Sequence, residues 1–74
     1  MVRVKIRLDT GTDAIKFSNI ATSLNGKIII TDNKGLCVNA KSILGMLYAL
    51  EFEELWCESE LDIYSHISDF VVID

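Results

Sequence analysis

Chemistry in this chain would have to come from few side chains: Ser42, Asp13, the lone His66 and the two cysteines, Cys37 and Cys57. Ser42 precedes an apolar run, where its hydroxyl can accept from the free amides of a first helical turn. Asp13 follows a Thr-Gly-Thr turn and is likewise a good N-cap, favourably placed at the positive end of a helix dipole. Cys37 and Cys57 stand alone, without a C-x-x-C and with a single histidine for company, which argues against a four-ligand zinc site, and both read as buried free thiols. His66 falls in the last predicted helix, as a solvent-facing residue. Trp56 and Tyr64 read as packing aromatics. The chain has no nucleophile–base pair, metal cluster or phosphate-cradling glycine loop, which argues against an enzyme and implies no cofactor.

Composition narrows the class further. The 74 residues make one domain, spanning 1–74, and half of them are hydrophobic, enough for a compact core. A net charge of -4, with no cluster of lysines and arginines, argues against direct nucleic-acid binding. No window approaches the roughly 20 apolar residues that span a bilayer, and the N-terminal Met1–Asp9 alternates in place of forming a signal-peptide core. The reading is a complete cytoplasmic domain without membrane insertion.

The elements that would position these residues are well marked. Val2, Val4, Ile6 and Leu8 alternate with Arg3, Lys5, Arg7 and Asp9, the period-2 pattern of a strand with one buried face. Ala14, Phe17, Ile20, Ala21 and Leu24 recur at helical spacing, which predicts a helix from Asp13 to Leu24, stopped by Asn25-Gly26. Lys27–Thr31 reads as a second strand, turned by Asp32-Asn33-Lys34-Gly35 into a third at Leu36–Val38. A second helix should run from Ile43 to Leu50, and a fourth strand over Glu54–Glu58, with Leu55 and Cys57 on one face. Placed beside the first strand, it would set Glu54 and Glu58 against Arg3, Lys5 and Arg7. Ser59-Glu60-Leu61-Asp62 reads as a capping box for a last helix that carries Ile63, Ile67, Phe70 and Val71 and frays near Asp74. The order β-α-β-β-α-β-α predicts an α+β two-layer sandwich, a four-stranded antiparallel sheet with its helices on one face.

Val38-Asn39-Ala40-Lys41-Ser42-Ile43-Leu44-Gly45-Met46 resembles the segment V-N-A-K-S-I-M-G of Gram-positive members of the HPr family, the histidine-containing phosphocarriers of the bacterial sugar phosphotransferase system. The order of elements agrees over almost the whole chain, so the resemblance implies the HPr-like open-faced sandwich. In that family the serine matching Ser42 is phosphorylated by an ATP-dependent HPr kinase. The phosphocarrier motif G-L-H-A-R-P-A is replaced here by Gly11-Thr12-Asp13-Ala14-Ile15-Lys16-Phe17. Asp13 stands for the phosphoacceptor histidine, Ile15 for the arginine that helps hold the phosphoryl group, and Lys16 for the proline. A phosphoramidate needs an imidazole nitrogen, so histidine relay through this site is not expected. An acyl phosphate on Asp13 is the chemical alternative to its capping role.

A serine site without a histidine site is similar to the catabolite-repression HPr of bacilli, which assists a carbon-catabolite repressor when phosphorylated. The loss of arginine at Ile15 departs from that paralogue, in a position that contributes to kinase and repressor contacts. The second helix carries more apolar surface than one core-facing stripe needs: Ile43, Leu44, Met46, Leu47, Tyr48 and Leu50 spread around its circumference at about 100° per residue. In the family, the residues matching Ile43, Leu44 and Leu47 form the partner-docking patch. The expectation is an HPr-like regulatory or adaptor protein switched at Ser42. Its implied partners are HPr kinase and a transcriptional regulator or another phosphotransferase-system protein. The alternative is a structural interaction domain, such as a homodimer through the second-helix patch, with no phosphorylation.

Overall fold

The computed structural model describes residues 1–73. Its elements follow the expected order: β1 (Val2–Ile6), α1 (Gly11–Thr22), β2 (Ile28–Thr31), β3 (Cys37–Asn39), α2 (Ile43–Ala49), β4 (Leu55–Ser59) and α3 (Tyr64–Ile67), which continues into a 3₁₀ turn at Ser68–Phe70. The sheet is antiparallel throughout, in the order β1-β4-β2-β3. The fraying expected near Asp74 lies outside the described residues.

Alternation decides which face of the sheet is buried. Ile6, Leu55, Cys57, Ile28 and Ile30 point one way and join Ala14, Phe17 and Ala21 of α1 and Met46 and Ala49 of α2 in a single core, completed by Ala40, Ile63 and Ile67. Arg3, Lys5, Trp56 and Glu58 point the other way, onto the face without helices. Arg3 lies opposite Glu58 in the register, and its Nε donates to the Glu58 carboxylate at 3.2 Å. The pairing of β4 with β1 and this cross-strand contact are as the sequence predicts.

Other details differ, each for a local reason. The cap of α1 is Thr10, not Asp13: the Thr10 hydroxyl accepts from the Asp13 N–H at 3.2 Å, and the Asp13 carboxylate accepts from the Asp9 N–H at 2.9 Å. This reciprocal arrangement starts the helix at Gly11, earlier than predicted, with Asp13 as its third residue. Arg7 does not face Glu54, because β1 ends at Ile6; Arg7 pairs with Asp9 at 2.8 Å, and Glu54 accepts from the Trp56 indole at 2.9 Å. The predicted capping box at Ser59–Asp62 does not form. Ser59 belongs to β4 and donates to the Leu61 carbonyl at 2.6 Å, while Asp62 accepts from the Tyr64 N–H at 3.0 Å.

The last helix is also shorter than its apolar stripe suggests, because Val71 leaves the helical path and forms an antiparallel bridge with Ile6. Cys37 is exposed, in contrast to the expected burial, whereas Cys57 is buried as expected. Cys37 faces the same side as Thr31, its partner in β2, while Val38 takes the core-facing position.

Candidate functional site around the second helix

The segment joining β3 to α2 is fixed by its own polar groups. The Lys41 N–H donates to the Asn39 side-chain carbonyl at 2.9 Å and the Ser42 N–H to the Asn39 backbone carbonyl at 3.0 Å, closing a tight turn directly before the helix. Ser42 then caps α2: its backbone is extended, and its hydroxyl accepts from the Gly45 N–H at 3.1 Å. Lys41 reaches across to donate its ammonium to the Leu24 carbonyl at 2.8 Å, just beyond the end of α1. The start of one helix is thereby tied to the end of the other. Gly45 permits the close seating of α2 on β3, since a Cβ there would come within 3.2 Å of the Asn39 carbonyl oxygen and 3.3 Å of the Val38 Cβ.

On this seat, Met46 and Ala49 face the core. The opposite side of α2 is apolar as well. Leu44 is 80% exposed, Tyr48 54%, Ile43 44% and Leu47 36%, so the helix presents four large apolar residues to solvent, more contiguous surface than scattered exposed hydrophobics require. Tyr48 is braced edge-on by Phe52, with ring centroids 5.6 Å apart. Leu47 extends the patch to α1: a Cβ built on Gly11 would lie 3.6 Å from its Cδ2. The patch therefore runs from the cap at Ser42 to the N-terminal turn of α1, the turn that contains Asp13.

Of the residues singled out in the sequence, Ser42, Ile43, Leu44 and Leu47 lie together on α2, with Asp13 on the adjoining turn. Asp13 is engaged in capping through the Asp9 N–H, and Ile15 is 40% exposed, with no charge to offer an anion. His66 is exposed, in α3. Among the described residues no group of three or more His, Cys, Asp and Glu side chains could hold a metal ion.

Two features were missed in the sequence. The Lys41–Leu24 tie joins residues far apart in the chain and leaves no local pattern. Trp56 carries Arg3 over its ring, with the guanidinium carbon 4.2 Å from the centroid, and the Lys5 ammonium at 5.8 Å. This cluster was accessible from alternation, because Lys5 and Trp56 lie opposite each other in the register. No protein-family model matches the chain, and neither a curated protein nor a solved structure matches it.

Proposed function

We propose that the chain is an HPr-like regulatory or adaptor protein, without histidine phosphotransfer, that docks partners through α2 and is switched by phosphorylation of Ser42. The observation that carries this reading is the apolar patch of Ile43, Leu44 and Leu47, which starts at a serine N-cap and ends against Gly11. Support also comes from the match of Val38–Met46 to the family's serine segment and from the β-α-β-β-α-β-α order with helices over one sheet face. The carboxylate of Asp13 has no nitrogen to carry a phosphoramidate, and it is occupied as a cap.

A phosphoryl group on Ser42 would add charge of about -2 beside the patch. It would sit next to free amides of the first turn of α2, so the fold tolerates it while the docking surface changes character. Partner choice, in this reading, is the switched quantity. HPr kinase and a transcriptional regulator or phosphotransferase-system protein are the expected partners.

Intact-protein mass tests the reading. Incubation with HPr kinase and ATP should add one phosphate, lost in Ser42→Ala, while enzyme I with phosphoenolpyruvate should add none. Phosphate from enzyme I would contradict the loss of relay, and no phosphate from a kinase active on an ordinary HPr would contradict the switch. The second reading, a homodimer through α2, is favoured by the same exposed leucines. It predicts a dimer that persists on dilution and is dissociated by Leu47→Lys.

A further inference from the structure

We propose that residues 70–72 act as an edge guard, a strap that covers the C-terminal end of the outer side of β1, from Lys5 onward, and prevents its pairing with β1 of a second copy of this chain. The backbone directions define the edge. The Arg7 N–H donates to the Phe70 carbonyl at 2.8 Å and the Val72 N–H to the Lys5 carbonyl at 3.0 Å, on either side of the Ile6–Val71 bridge. Lys5 and Arg7 therefore turn their backbone groups outward, and by strand alternation so does Arg3, while Val2, Val4 and Ile6 turn theirs toward β4.

β1 is the longer of the two sheet edges, five residues against three in β3. Its Val2, Val4 and Ile6 give it the composition of a strand that pairs readily, and such an edge is a template for another chain unless covered. Charge alone does not protect it. Arg3 is taken by Glu58 and Arg7 by Asp9, which leaves Lys5 as the cation of this row without an ion pair among the described residues. Antiparallel β1–β1 pairing about a twofold axis would satisfy the outward groups of both copies alike.

The guard is lightly held. Phe70 anchors it by an edge-on contact with Phe17, with centroids 5.4 Å apart. Beyond that anchor, Val71 and Val72 are half-buried and Ile73 is 82% exposed. Clefts of about 360 and 420 Å³ open beside the strap, both lined by Arg7 and Val72. Releasing the strap from the Phe70 carbonyl onward, with the Phe70 ring left against Phe17, frees the Arg7 N–H and the Lys5 carbonyl and takes from the core only Val71, a half-buried residue packed against it.

Two substitutions release it differently. Val72→Pro deletes the N–H that donates to the Lys5 carbonyl, and Val71→Asp puts a charge where Val71 packs against the core, loosening the strap without deleting a backbone donor. Sedimentation over a concentration series is the readout, with exchange of the Arg7 amide as the gauge of release. The unaltered chain and Val72→Ala should behave alike, whereas both strap variants should gain a concentration-dependent association step. Adding Lys5→Pro should abolish that step, since the Lys5 N–H points away from β4; adding Leu47→Lys should not. The proposal is overturned if the Arg7 amide exchanges more than about tenfold faster and no association follows. It is equally overturned if Leu47→Lys abolishes the association. If Val72→Pro fails to fold, Val71→Asp decides by the same outcomes.

Discussion

The Ser42 hydroxyl is already in use, accepting from the Gly45 N–H, so Ser42→Ala should destabilise the fold by about 1 kcal/mol in urea denaturation, while Ser42→Asp, which keeps an acceptor, should stay close to the unaltered chain. A loss well below that for alanine would mean that the turn at Asn39 alone starts the helix. The cysteines separate by exposure: a thiol reagent at pH 8 should modify Cys37 in the folded protein and reach Cys57 only on unfolding. Burial, followed by the neighbouring Glu58, pushes the Cys57 thiol up from 9.0 to about 11. In that window the unfolded chain gives up a proton that the folded chain keeps. Stability should therefore fall as pH rises from 9 toward 11, by at most about 1.4 kcal/mol per pH unit, and Cys57→Ala should remove that component of the slope. At this scale the sequence made Ser42 legible, because a cap is a local pattern. The exposure of Cys37 depends on which face β3 buries, and a strand of three residues gives too little alternation to decide that.

α2 carries two opposed faces, and they should respond oppositely to substitution. Met46→Ala empties a fully buried site and should cost about 2–5 kcal/mol. Leu44→Lys alters a residue that is 80% exposed and should change stability by no more than about 0.5 kcal/mol. Stability neutrality combined with loss of partner binding is the signature expected of a docking residue. In α1, the buried Ser18 hydroxyl has no hydrogen-bond partner among the described residues, so Ser18→Ala should raise stability by about 1 kcal/mol in thermal or urea unfolding. Element boundaries are legible where a local cap coincides with the period, as at the start of α2 after Ser42. They shifted where two caps competed, as at Thr10 and Asp13, and where a distant strand claimed the chain, as Ile6 does with Val71. No local pattern announces that last contact.

For the whole molecule, the α+β class, the antiparallel sheet and the neighbouring of β1 and β4 followed from alternation and from the charges of Arg3 and Glu58. That α2 must expose some of its apolar side chains was legible, because it has more apolar positions than its core face can take; that the exposed ones are Ile43, Leu44, Leu47 and Tyr48 depends on how α2 packs. Its continuation to Gly11 required the packing of α2 on α1, which sequence spacing does not encode. Backbone shift changes in the isotope-labelled protein, titrated with HPr kinase, test the proposed α2 docking surface most directly. The changes should centre on Ser42, Ile43, Leu44 and Leu47, extend to Gly11 and be lost in Leu44→Lys. Changes centred instead on Arg3, Lys5 and Trp56 of the helix-free sheet face, or no binding by a kinase that binds an ordinary HPr, would contradict it.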